Sequence, residues 1–358
     1  MADNHQLPQL FDNYPELKKE IRHLPLGDFP TPVHQLKNLG FNNLWIKRDD
    51  LTSSIYGGNK IRKLEFILAE VKRRNKKRIV TTGATGTHHG LATAIFAQQF
   101  GINVTLLLYD QPYSDEVRHN LLLLAKQQVK IVHQKTLLKT MFSYLVLRRI
   151  IDPFAYFLYP GGSNVFGTLG YVNAAFELRT QIESGLLPKP DVIFCPLGSN
   201  GTMAGLILGC ALSKLDSEII GVRVTPPKLG VFQACTDHKV MKLAKNTYQL
   251  LRQSCRDLPV IDLQTPNIDG RYLGNGYGYK TERCAETIEM VNKYEGIQLD
   301  TTYTAKTFSA VSDFCSSPKN ISKMVLYWHM YNSVDTSHLT GKEDYLKLPA
   351  TLQHYFSA

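Results

Sequence analysis

At 358 residues and a net charge of +10, the chain suits two modest domains or one large α/β unit, and its basic balance favours anionic ligands. Hydrophobic residues at 43% and charged residues at 20% exclude a disordered or fibrous polypeptide. Six cysteines (Cys195, Cys210, Cys235, Cys255, Cys284, Cys315) are scattered without a C-x-x-C pair, which argues against a disulfide scaffold or zinc ribbon and for a reducing compartment.

The first residues carry no basic stretch followed by an apolar run, so no signal peptide is expected. The longest apolar runs, about 203–212 and 142–147, are too short to cross a bilayer. A cytoplasmic protein without a membrane partner is the expectation.

In chain order, the pattern predicts a strand over 78–82, a helix over 88–100, a strand over 103–110 and a helix over 114–128. A strand over 129–133, a helix over 137–150, a strand over 155–159 and a helix over 165–184 follow. Then come a strand over 192–196, a helix from 203, a strand over 219–225 and a long helix after Leu229. The last 45 or so residues alternate less clearly. This rhythm is that of parallel sheets covered by helices. One open sheet would need too many strands. The fold class expected is therefore α/β, with two three-layer αβα domains and mainly parallel sheets: a small one over 63–170, inserted into a large one of 1–62 plus 171–358.

Three glycine-rich turns stand at strand ends, where α/β proteins place ligands. Gly198-Ser199-Asn200-Gly201-Thr202 links a strand to a helix, so close backbone approach and free helix N–H groups suit a phosphate; an ordinary turn is the alternative. It is neither G-x-G-x-x-G nor a P-loop, which disfavours a dinucleotide or nucleoside triphosphate. In Gly57-Gly58-Asn59-Lys60, the lysine opens a helix, and the dipole end and the nearby Arg62 and Lys63 disfavour its charged form. A neutral amine is what Schiff-base chemistry needs; a solvated helix-start lysine is the plain alternative. Glu65 is placed to pair with Arg62 or Lys63. The turn from Gly83 to Gly90 holds Thr87, His88 and His89 at a helix start. With no H-E-x-x-H and no acidic or cysteine ligand at helical spacing, no metal is expected, and a carboxylate-binding turn is the better functional reading.

Taken together, these segments resemble the pyridoxal-phosphate (PLP) enzymes of the tryptophan-synthase-β-like fold, in the branch of 1-aminocyclopropane-1-carboxylate (ACC) deaminase and D-cysteine desulfhydrase. The match runs in order through Pro30-Thr31-Pro32, Lys47 to Leu51, Gly57 to Glu65, Gly83 to His89, Pro160 to Ser163, Gly198 to Leu206, Gly276-Tyr277-Gly278 and Leu299 to Lys306. The G-N-K-x-R-K-L-E string is the most specific part. The resemblance implies a homodimer with pyridoxal 5'-phosphate as cofactor and a small amino acid as substrate. It implies that Lys60 bonds the cofactor, that Gly198, Ser199, Asn200, Gly201 and Thr202 hold its phosphate, and that Thr304 contacts its pyridine nitrogen. Tyr277 and Tyr303 match the family's two active-site tyrosines, and Thr87, His88 and His89 its substrate-side turn. His88 stands where the family has an asparagine that contacts the cofactor ring hydroxyl, and Tyr327 to Ser333 replaces a family glycine-rich segment. Threonine at 304, rather than an acid, accompanies desulfhydrase-like members. The implied reaction is β-elimination from D-cysteine to a 2-oxo acid, ammonia and sulfide, with ACC deamination or a weakly catalytic PLP-binding protein as the alternatives. The basic run Lys72 to Arg78 reads as a solvated helix end rather than a nucleic-acid site, and a serine hydrolase lacks its G-x-S-x-G.

Overall fold

A six-stranded and a four-stranded sheet organise the chain in the computed structural model, which describes residues 7–229, 232–341 and 343–357. The described residues open with α1 (Gln9–Asn13) and an antiparallel hairpin of β1 (Val33–Gln35) and β2 (Leu44–Arg48). Helix α2 (Lys60–Arg73) then leads into the smaller sheet. That sheet contains β3 (Arg78–Ala84), β4 (Asn103–Tyr109), β5 (Val129–His133) and β6 (Tyr156–Phe157), all parallel, in the order β5-β4-β3-β6. Helices α3 (His88–Gln98), α4 (Asp115–Lys126) and α5 (Leu137–Val146) connect them. Helix α6 (Val165–Glu183) returns the chain to the first sheet. There β7 (Val192–Leu197), α7 (Gly201–Ser213) and β8 (Glu218–Arg223) follow, then the short hairpin of β9 (Lys228–Leu229) and β10 (Phe232–Gln233). Last come α8 (Asp237–Ser254), β11 (Asn267–Asp269), α9 (Glu282–Glu295), α10 (Thr304–Ser316) and β12 (Val325–His329). The large sheet has the order β1-β2-β12-β7-β8-β11 and is parallel apart from β1.

Strands covered on both faces read as continuous apolar runs rather than alternating ones, and every residue of β7 and of β12 is buried. Their side chains nonetheless divide by parity. Ile193, Cys195, Leu197, Leu326 and Trp328 join a core shared with α6, α7 and α8, whereas Val192, Phe194, Val325 and Tyr327 join one shared with α9 and α10. The small sheet divides likewise: Ile79, Leu106 and Leu108 pack with α2, α3 and α4, and Val80 and Leu107 with Tyr144 of α5. Both units are three-layer αβα. Leu348, Leu352 and Tyr355, close to the end of the described chain, also pack into the small-sheet core. The Tyr355 hydroxyl accepts from Thr85 Oγ1 (3.1 Å) and donates to Gln111 O (3.1 Å).

Side-chain caps mark most helix starts: Thr87, Ser114, Thr136, Asn164, Thr236 and Thr281 each accept from an N–H in the first turn. Beyond end shifts of one or two residues at other strands and helices, four differences from expectation bear on the site or its surroundings. The helix expected over 137–150 is α-helical only to Val146 and widens into a π-turn over Leu147–Ile151. The helix expected after Leu229 begins at Asp237, because the β9–β10 hairpin intervenes. Helix α7 starts at Gly201, two residues before Met203. Glu65 pairs with neither Arg62 nor Lys63: it contacts His23 Nε2 (3.1 Å) and accepts the N–H groups of Leu26 and Gly27.

Candidate active site

The ends of β3, β4 and β7 meet at a cavity of about 720 Å³, lined among others by Thr82, Gly83, Tyr109, Pro196 and Leu197. It stands where open parallel sheets bind ligands. Lys60 reaches it from the first position of α2. The turn before Lys60 requires glycine at 58: φ is +93°, and a Cβ there would lie 3.0 Å from Tyr331 O and 3.1 Å from Met330 O. Gly57 N donates to Asn332 Oδ1 (2.7 Å), so the 330–332 segment clamps this turn. Lys60 Nζ donates to Asn59 Oδ1 (2.6 Å) and lies 6.0 Å from the Tyr303 ring centroid. Burial holds its pKa down to about 8, against the opposing pull of the Asp300 carboxylate.

Behind Lys60, a fully buried ion cluster fixes α2. Arg62 donates to both oxygens of Asp49 (2.7 and 2.8 Å) and both of Glu177 (2.8 and 2.9 Å). Lys47 also donates to Glu177, and Tyr171 donates to Asp49 Oδ2 (2.8 Å). Burial alone would raise Glu177, but Arg62 and Lys47 bring it down to about 2.

Across the cavity, Gly198, Ser199, Asn200 and Thr202 line the wall; Gly201 is the first residue of α7 behind them. The Ser163 hydroxyl accepts from Gly201 N (3.2 Å) and donates to Ser199 Oγ (2.9 Å). Asn200 adopts φ +69°, a conformation uncommon outside glycine. The first turn of α7 leaves N–H groups without intrahelical partners. Lys63 lies beneath this loop, its Nζ 3.3 Å from where a Gly201 Cβ would be. Its one hydrogen-bond partner among the described residues is Gly161 O (3.1 Å). Burial, then the charge of Lys60, push its pKa well below the usual lysine value.

Tyr277 and Tyr303 line the same cavity with their hydroxyls 2.5 Å apart, and burial raises both above the ordinary phenol value. Thr87 and His89 also line it. The Thr81 hydroxyl donates to Leu158 O (3.0 Å), so it accepts from His89 Nε2 (2.9 Å). Burial pushes His89 well below the usual imidazole value, so it stays neutral.

His88 and Thr304 are placed differently. His88 lines a separate chamber of about 30 Å³ that also touches Lys60, Asp300 and Tyr303. Its Nδ1 is 2.6 Å from the Tyr56 hydroxyl and its Nε2 2.7 Å from Glu116 Oε1. An ionised carboxylate only accepts, so Nε2 carries the proton, and both ring nitrogens already have protein partners. Thr304 lines neither space; its hydroxyl donates to Asp300 Oδ2 at 2.5 Å. Asp300 also accepts the N–H groups of Thr302, Tyr303 and Thr304, capping α10, and burial raises it above the usual carboxylate range.

Lys63, Tyr56, Glu116 and Asp300 therefore belong to the site without having been assigned to it from sequence. Lys63 carried a readable signal, since i and i+3 on a helix share a face and Lys60 precedes it by three. Asp300 carried one too, as an acid just before a helix start. Tyr56 and Glu116 carried none.

A family model described as pyridoxal-phosphate-dependent enzyme matches residues 24–326. A Thermotoga maritima protein provisionally named 1-aminocyclopropane-1-carboxylate deaminase is 32% identical over 303 residues, spanning 82% of this chain and 91% of its own. A Pyrococcus furiosus protein of the same provisional name is 30% identical over 340 residues, spanning 92% and 98%. A crystal structure of an ACC deaminase homologue superposes with a TM-score of 0.75 at 28% identity, covering 96% of this chain and all of that one.

Proposed function

The chain belongs to the pyridoxal-phosphate-dependent enzyme family, with fold and relatives of ACC deaminase type, and from that membership we propose that it eliminates the thiol of D-cysteine or a close analogue, yielding pyruvate, ammonia and sulfide. Its cofactor is pyridoxal 5'-phosphate. The residues present fit that group. A lowered amine at Lys60 faces a cavity whose far wall is a helix-start loop, and Lys63 beside the loop is a buried amine with no carboxylate partner among the described residues. A phosphate dianion there would favour the charged form that burial and Lys60 disfavour. Lys60 would hold the aldehyde end, and Gly198 to Thr202 with Lys63 the phosphate.

When bound, the cofactor provides the electron sink for the substrate α-carbon. The protein's own groups do the rest. Lys60, with a pKa near 8, is largely protonated at neutral pH yet close enough to neutrality to take a proton from the α-carbon. Tyr277 and Tyr303 share one hydrogen bond between two hydroxyls, so one O–H stays free to donate towards a departing group. Thr87, at the N-cap of α3, lines the cavity with a hydroxyl that accepts from Gly90 N and is free to donate to the substrate carboxylate. The neutral His89 gives its Nε2–H to Thr81, so it offers only an acceptor nitrogen and shapes the wall.

The feature that carries the thiol reading is the residue type at 304: a neutral threonine stands where, by the resemblance, ACC deaminases have an acid at the pyridine nitrogen. Its hydroxyl is tied to Asp300 and lines neither space, so position 304 supplies no carboxylate to strengthen the electron sink. A weaker electron sink suffices for a good leaving group such as a thiol. The names of the relatives favour ACC deamination to 2-oxobutanoate and ammonia as the second reading. Purified, PLP-loaded protein screened against D-cysteine, L-cysteine, D-serine and ACC decides the matter. Sulfide and pyruvate from D-cysteine without turnover of ACC is the expected result. The reverse pattern transfers the assignment to ACC, and a coloured protein that turns over none of the four is a cofactor binder without this activity. Six free thiols support a cytoplasmic location. The homodimer and the division into 63–170 and the remainder rest on the resemblance and the sequence pattern, and sedimentation and limited proteolysis check them.

A further inference from the structure

Helix α5 and the turn after it carry an apolar face that no described part of the chain covers. Thr140 and Tyr144 point inwards, which sets Leu138, Phe142 and Leu145, spaced i, i+4 and i+7, on the outer side. These three are 60%, 70% and 46% exposed, and Ile150, Ile151 and Phe154 beyond them are 73%, 66% and 76% exposed. Exposed apolar residues standing singly need no explanation; six in one short segment do.

Charge selects the occupant. Lys135, Lys139, Arg148 and Arg149 are all exposed in the same segment. Its one acid, Asp152, already accepts two bonds from Arg78 (2.7 and 2.8 Å). A second copy seated face to face would bring these cations against their own images with no free carboxylate between them. The surface of an anionic bilayer suits both halves of the pattern, since acyl chains accept the apolar stripe and lipid phosphates the cations. No helix among the described residues is long and apolar enough to cross a membrane, so the contact is one of lying on the surface.

We propose that α5 and the turn through Phe154 dock this protein onto anionic lipid bilayers. Leu137 and Met141 of the same helix line the large cavity, so the docked helix is also part of the wall of the candidate active site. The proposal does not depend on which amino acid that site consumes.

The test is co-sedimentation of the full-length, PLP-loaded protein with two kinds of vesicle: phosphatidylcholine alone, and phosphatidylcholine with phosphatidylglycerol in equal parts. Partitioning about tenfold or more stronger onto the anionic vesicles, weakened by salt, is expected. The combined variant Phe142→Ser, Ile151→Ser, Phe154→Ser loses binding to both. The pair Arg148→Glu, Arg149→Glu loses the preference for the anionic lipid. Unchanged gel-filtration volume and visible absorbance confirm that both variants stay folded and loaded. No binding to either vesicle overturns the proposal, as does equal binding to both, or a triple variant that binds like the parent. Absence of lipid binding together with self-association that the triple variant abolishes also overturns it, and makes the face a contact between copies.

Discussion

Arg62 and Lys63 are neighbours on α2 and equally buried, yet they face opposite worlds. Arg62 turns back into the ion cluster, where Asp49 and Glu177 answer its charge in full. Lys63 turns forward beneath the Gly198–Thr202 loop, where among the described residues its one hydrogen-bond partner is the carbonyl of Gly161. Replacing a buried pair by apolar groups is often neutral, whereas removing one member strands the other. A buried amine whose charge is disfavoured and which meets no carboxylate among the described residues is therefore either a defect of the fold or half of an anion site. Its position beside a helix start makes it the second. The region behind α2 is finished by the protein; the region in front is finished by what binds.

Four measurements press on that contrast. The largest effect is expected from Lys60→Ala, which abolishes both the visible absorption of the loaded protein and all 2-oxo acid production, with the far-ultraviolet circular dichroism unchanged. Next, Glu177→Ala makes the finished side unfinished. It strands Lys47, leaves Arg62 with Asp49 alone, and lowers the urea unfolding free energy by about 3–5 kcal/mol, with or without cofactor. Lys63→Met does the converse. Cofactor binding by equilibrium dialysis weakens by about 10–100-fold, the worth of a charge-assisted hydrogen bond, while the cofactor-free protein loses no stability. A cofactor-free Lys63→Met protein as damaged as Glu177→Ala would erase the distinction.

The smallest effect concerns pH. Burial lowers Lys60 from the ordinary lysine value to about 8, so its amine is protonated below that pH and neutral above it. The rate at which cofactor-free protein captures pyridoxal phosphate should rise with pH and level off above about 8. Asp300 favours the charged amine, so Asp300→Asn should move the midpoint down, by under about one unit. A midpoint that moves up instead would show that Asp300 acts on Lys60 by some route other than its charge.

Much of this architecture was readable because it is local. The strand Val129–His133 agrees residue for residue with its expectation, and α6 differs by one at its end. Lys60 and the Gly198–Thr202 loop announce themselves by neighbouring glycines and hydroxyls, whereas Tyr277 and Tyr303 are assigned through the family resemblance and not by their neighbours. What stayed hidden is what the chain brings together from afar. β12 lies at the centre of the large sheet, between β2 and β7, yet its five buried residues show no alternation and sit in a stretch of irregular turns. The pairing of Arg62 with Glu177 spans 115 residues, and that of His88 with Glu116 spans 28. Nothing in the spacing of acids and bases along the chain foretells such partners. The widening of α5 at Leu147 was equally illegible, because the apolar pattern runs on through it.

The long reach of Tyr355 carries a consequence for how the molecule is made. Its hydroxyl bridges Thr85 and Gln111, residues that leave the ribosome 270 and 244 positions earlier. During synthesis the ends of the two central strands of the small sheet must wait for Tyr355 before these bonds can form. A nascent chain arrested shortly before 355 should therefore hold that sheet in a less protected state than a chain that includes Tyr355, whatever the order in which the other strands assemble.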